Sequence, residues 1–181
     1  MRIKTWQIIT AIICIILGIL LHFTYELSGK NMVIGLFSAV NESTWEHLKL
    51  LFFPMGLMAI IGSFVIKRKT YNYWFAQAVG ILSAMIFTVV FFYTYTGIIG
   101  TNFAIVNIAI FIVAVCIGTY ISYRLMISPR IYEVEGVSIF FLVILLLLFI
   151  LYTFCPPQIQ LFKDPNDSSF GIKGVEVLHI K

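Results

Sequence analysis

Charge is what this chain has least of. Asp, Glu, Lys and Arg make up 11% of its 181 residues, against about 25% in an average soluble domain. With 61% hydrophobic residues and a mean hydropathy of +1.02, too little polar surface remains to clothe a water-soluble fold. The lipid bilayer is therefore the first partner. Cysteine is scarce too: Cys14 and Cys116 fall inside apolar runs and Cys155 at the edge of one, with no C-x-x-C spacing. That pattern implies neither a disulfide framework nor a cysteine metal site. Internal repeats are absent, as is any polar stretch long enough for a separate soluble domain.

What remains is long apolar runs. Crossing about 30 Å of hydrocarbon takes about 20 mostly apolar residues, and stretches at about 6–26, 73–96, 103–125 and 137–154 satisfy this outright. A fifth, 48–66, is slightly short and reaches spanning length only if its helix begins near Ser43, giving 43–66. The first run follows Arg2 and Lys4 as a signal peptide would, but it is too long for that and lacks a small-x-small cleavage site; it reads as an uncleaved first helix. The runs lack the alternation of a membrane β-strand, and closed helices satisfy their own backbone in lipid. The expected fold is all-α: a polytopic bundle of about five transmembrane helices within 1–155. The apolar stretch 32–40 is too short to span and reads either as a re-entrant or interfacial segment before the second helix or as a plain loop.

Positive charge marks sidedness, because cytoplasmic loops retain Lys and Arg. Arg2, Lys4, Lys67, Arg68, Lys69, Arg124 and Arg130 share one side if the chain crosses five times from a cytoplasmic N-terminus. This places the protein in a cell membrane as a multi-pass protein with the C-terminus extracytoplasmic. The net charge of +4 is then topogenic and makes no case for nucleic acid. Cys155-Pro156-Pro157 ends the last helix, since proline lacks an amide hydrogen and disfavours helix before it. The tail 156–181 follows, with turn chemistry at Asp164-Pro165-Asn166-Asp167, weak alternation over 175–180, and a fold back over the outer helix ends expected.

Against this background Asn41-Glu42-Ser43-Thr44-Trp45-Glu46-His47-Leu48-Lys49 stands out. Part of it reads as structure. Ser43 and Glu46 fit the S-x-x-E capping box, in which the Ser43 hydroxyl takes the Glu46 amide and the Glu46 carboxylate returns to the Ser43 amide. Asn41 suits a turn, Trp45 an interfacial anchor, and Lys49 a side chain snorkelling to the headgroups. The rest is costlier to explain, because a central Asp, Lys or Arg in a span costs about 2.5–3.5 kcal/mol and such groups mark functional sites by default. On a continuous helix Glu42, Glu46 and Lys49 would share a face, while His22 and Glu26 reach the same outer end from the first helix. Pro54 would free the carbonyl of Leu50 and kink the helix below the motif. The candidate ligand-binding residues are therefore His22, Glu26, Asn41, Glu42, Glu46, His47 and Lys49. Imidazole with carboxylate suits zinc or another divalent cation, the metal candidates being Glu42, Glu46, His47 and His22.

The same motif with Phe52-Phe53-Pro54, and the tail residues Pro156-Pro157, Leu161-Phe162, Asp164-Pro165 and Phe170-Gly171-Ile172, resemble an uncharacterised family of small bacterial multi-pass membrane proteins. The family more often carries tyrosine where this chain has Phe170. The resemblance implies the topology and the motif register, and no activity. Three readings of function follow. The outer cluster binds a cation or a small polar ligand in a binding or transport role; or the protein is an intramembrane metal-dependent hydrolase, for which His22 and His47 lack a third histidine other than His179; or it is a structural or accessory subunit with a protein partner, the motif being only a helix cap.

Overall fold

A computed structural model describes residues 2–129 and 134–172. Arg130 of the basic set, Lys173, His179, Lys181 and the alternating stretch 175–180 lie outside the described residues. The chain forms α1 (Ile3–Leu27), α2 (Met32–Gly35), α3 (Thr44–Val65), α4 (Tyr73–Ile99), α5 (Ala104–Met126) and α6 (Val134–Phe154), with 3-10 turns at Lys67–Lys69 and Gln160–Phe162. Among the described residues five helices, all except α2, are long and apolar enough to cross a membrane. An all-helical polytopic bundle is thus the observed architecture.

Three helix ends lie three residues beyond the hydropathy reading: the start of α1 at Ile3, the end of α4 at Ile99 and the start of α6 at Val134. α4 continues to Ile99 because Gly100 takes the left-handed conformation (φ 81°) and its amide closes on the Thr96 carbonyl at 2.8 Å. α6 starts before Val137, and its Glu135 carboxylate accepts the amide of Trp74, an orphan donor in the first turn of α4, at 2.9 Å. The stretch 32–40 is neither fully helical nor plain loop: Asn31 caps the single turn of α2, and Ser38 is tied to Thr24 and to the Tyr25 amide, each at 3.0 Å.

The bundle has two chemically distinct ends. At one, Trp6 of α1 packs on Gly62 of α3, Gln7 reaches Met126 of α5 at 3.5 Å, and the Tyr73 hydroxyl of α4 donates to the Ala59 carbonyl. These contacts gather Arg2, Lys4, Lys67, Arg68, Lys69 and Arg124 at a single end. In mid-bundle α4 and α5 cross at Gly80, Gly118 and Ser122: a Cβ on either glycine would sit 2.6 Å from the other's carbonyl oxygen, and Ser122 donates to the Ala76 carbonyl at 2.7 Å. Small residues let backbones meet where apolar burial alone gives no drive in lipid.

The opposite end is held by aromatic rings and by the tail. Trp45 packs as a tilted ring pair at 4.7 Å against Phe149 of α6 and at 4.8 Å against Phe162 of the tail. With 8% of its surface exposed, Trp45 is a core residue and not the interfacial anchor that its position suggests. The tail folds back over this end. Gly171, at φ 62°, lies so close to Thr153 that an added Cβ would sit 2.9 Å from its carbonyl oxygen, and the Ile172 amide bonds that carbonyl at 3.2 Å.

Candidate functional site

The start of α3 is a cap with two faces. Ser43 is extended (φ −67°, ψ 152°) and its hydroxyl accepts the Glu46 amide at 3.4 Å, so helix begins only at Thr44. The second arm of the expected capping box is absent. The Ser43 amide donates to the Asn41 side chain at 2.9 Å, and Glu46 Oε2 takes the Val40 amide at 3.1 Å. The Glu46 carboxylate thus braces the loop that precedes the cap, not the cap residue itself.

Glu46 has a second partner. Lys49 Nζ lies 2.6 Å from Glu46 Oε2 and 3.0 Å from the Gly35 carbonyl at the end of α2. Lys49 is wholly buried, which replaces the snorkelling expected of it. Its ammonium is turned inward, onto the carbonyl of Gly35 and the Glu46 carboxylate. A buried pair of this kind is held by its hydrogen bonds, and removing one partner strands the other charge.

Glu42 faces elsewhere. It precedes the cap, so the extended Ser43 turns its side chain off the helical face of Glu46 and Lys49 towards the two imidazoles. Glu42 Oε2 is 3.4 Å from His47 Nε2 and Glu42 Oε1 is 3.9 Å from His22 Nε2. The two rings lie 5.2 Å apart between centroids, and one donor atom from each of the three residues falls within 4.8 Å of the others. His47 Nδ1 is 2.9 Å from the Ser43 carbonyl. A carbonyl only accepts, so Nδ1 carries the proton, and Nε2 is the ring nitrogen turned to Glu42. Metal-binding imidazoles are characteristically oriented by such a bond through the other nitrogen.

The tail fixes Glu42 from the other side. Asp164 Oδ2 accepts the Glu42 amide at 3.1 Å and Asp164 Oδ1 accepts the Asn166 amide at 2.8 Å. Asn41 donates to the Gly171 carbonyl at 3.1 Å. The two segments that carry the family resemblance are therefore one assembly. Thr44 extends it by donating to the Tyr93 hydroxyl, which donates to the Gln160 carbonyl, each at 3.3 Å.

Beneath the cluster lies a cavity of about 380 Å³ between α1, α3, α4 and α5, with His22, Glu42 and His47 on its lining and Pro165 and Asn166 closing it from the tail. Pro54 sits inside α3 and leaves the Leu50 carbonyl without its helical amide; Gly18 of α1 is the residue that lets this carbonyl approach.

Of the residues singled out from sequence, His22, Glu42 and His47 converge. Asn41, Ser43, Glu46 and Lys49 form the buried brace behind them. Glu26 is on the surface, 3.9 Å from Lys30, and joins neither group. Sequence reading passed over Asp164 as a turn residue, although an acidic side chain is a rare commodity in this chain. No curated protein and no solved structure matches the chain. A family of unknown function does, over residues 1–172, and to that family, DUF6512, the chain belongs.

Proposed function

We propose that this is a multi-pass protein of a bacterial cell membrane, N-terminus cytoplasmic, whose His22, Glu42 and His47 bind a divalent transition cation at the extracytoplasmic face. The orientation rests on the basic end of the bundle and the positive-inside bias. The cation reading rests on one observation: three donors of the right kind, from two helical segments, already stand within 4.8 Å of one another. Around a tetrahedral zinc, with ligands at about 2.0–2.2 Å, donor atoms sit about 3.3 Å apart. The Glu42 and His47 donors are at that spacing, and the separations to the His22 donor, at most 4.8 Å, close by up to about 1.5 Å, a side-chain adjustment. His22 Nδ1, buried and without a partner, leaves that ring unanchored and free to make it.

Two imidazoles and a carboxylate are the donor set of three-ligand zinc sites that keep a fourth position open. This favours a binding or transport role over a purely structural one, because a closed structural site would use four protein ligands. Metal content by mass spectrometry on the detergent-purified full-length protein tests the reading. About one equivalent is expected in the wild type and none in Glu42→Gln/His47→Ala; equal content in both, or none in either, contradicts it.

A further inference from the structure

We propose that the cavity takes a single-chain amphiphile from the bilayer, its anionic oxygen head group on the cation held by His22, Glu42 and His47 and its hydrocarbon chain between α1, α3 and α5. This rests on the cation reading above and adds the ligand class. A cation with its water needs only the mouth, whereas the cavity measures about 380 Å³, within the roughly 300–1,000 Å³ of sites that enclose organic ligands.

Its lining is divided along its length. Polar side chains collect at the mouth with the cluster, and the remainder is built by Gly18, Ile19, Phe23, Leu50, Ile108 and Phe111. Two further polar side chains of the lining have bonds within the protein: Thr88 donates to the Ala84 carbonyl at 3.0 Å, and the Asn107 side-chain oxygen accepts from the Tyr95 hydroxyl. Away from the cluster, most of the lining side chains thus offer a ligand hydrocarbon contacts. Ile19, Phe23 and Ile108 are also among the exposed apolar residues on the outer surface of the bundle, the surface that faces acyl chains in a membrane. The apolar part of the cavity thus continues to the lipid side, which gives the ligand its route.

The head group follows from charge and coordination. A divalent cation with one carboxylate and two neutral imidazoles retains one positive charge and an open position. An anionic oxygen satisfies both, and a neutral head group satisfies only the second.

Palmitate is the probe, with hexadecanol lacking the anion and acetate lacking the chain. Binding is read by native mass spectrometry on full-length protein in nanodiscs, zinc-loaded or zinc-stripped. One palmitate is expected on the zinc form, and removal of zinc or the substitution Glu42→Gln weakens it by at least about tenfold. Acetate binds at least about tenfold more weakly than palmitate, since a few buried methylenes suffice for that factor, and hexadecanol, which brings the chain without the anion for the cation, is weakened by a similar factor. Ile108→Trp and, separately, Ala104→Phe fill the cavity from exposed positions and lower palmitate binding by a similar factor with zinc retained. Zinc bound but palmitate absent, or palmitate equally strong without zinc, beside hexadecanol or acetate, or in both filled variants, overturns the inference and leaves the cation site standing. No zinc on the wild type overturns the cation reading and this inference with it.

Discussion

Glu46 and His47 are adjacent in sequence and belong to different machines. Glu46 points inward to Lys49, the Val40 amide and, through Lys49, the Gly35 carbonyl, and its side chain is 2% exposed. His47 points into the cavity mouth beside Glu42 and His22, and is 31% exposed. The inner group bonds within the protein through Glu46 Oε2 and Lys49 Nζ, and Glu46 Oε1 is buried without a partner. The outer group has one donor atom from each of three residues within 4.8 Å of one another, the set that the proposed cation would draw together. The contrast separates polar residues that hold a membrane helix in place from polar residues set up to hold something else.

That division can be broken residue by residue. The largest effect on stability is expected from Lys49→Met, which strands the Glu46 carboxylate and costs about 3–5 kcal/mol, read as a fall in thermal midpoint in detergent. Adding Glu46→Gln to it recovers much of the loss. Asp164→Ala comes next, because the amides of Glu42 and Asn166 lose their acceptor at about 1–3 kcal/mol. Since Asp164 holds the Glu42 backbone, metal affinity is also expected to drop about 10–100-fold, measured by competition with a chelating dye. A stability loss with affinity intact would show that Asp164 does not position Glu42.

Ser43→Ala removes only the cap and costs about 1 kcal/mol; it leaves metal binding unchanged, because His47 is oriented by the backbone carbonyl of Ser43. The smallest stability change, within about 0.5 kcal/mol, is expected for Glu42→Gln, whose side chain is half exposed. In that variant bound metal is lost. A destabilisation by Glu42→Gln comparable to that of Lys49→Met would erase the distinction between the two groups.

The spans were legible because apolar length is what the bilayer demands, and an end was not where one residue decides it, as Gly100 does for α4. The motif was legible as a concentration of polar residues but not in its division. A helical wheel puts Glu42 on the face of Glu46 and Lys49; the extended Ser43 between them interrupts the wheel and sends Glu42 to the histidines. The burial of Lys49 goes with the segment 35–40, which brings the Gly35 carbonyl and the Val40 amide to the pair of Glu46 and Lys49 and has no periodicity to read. Asp164 acts on a residue 122 positions away, a distance no local pattern carries, although two polar motifs in so apolar a chain both had to lie at a membrane face.

The central claim is that Glu42 serves a cation and Lys49 serves the fold. It is tested most directly by measuring bound metal and thermal midpoint together on wild type, Glu42→Gln and Lys49→Met, each purified to a single monodisperse species. The predicted result is metal lost with the midpoint unchanged in Glu42→Gln, and the midpoint lowered with metal per folded molecule unchanged in Lys49→Met. Metal retained in Glu42→Gln, or both quantities falling together in both variants, would contradict it.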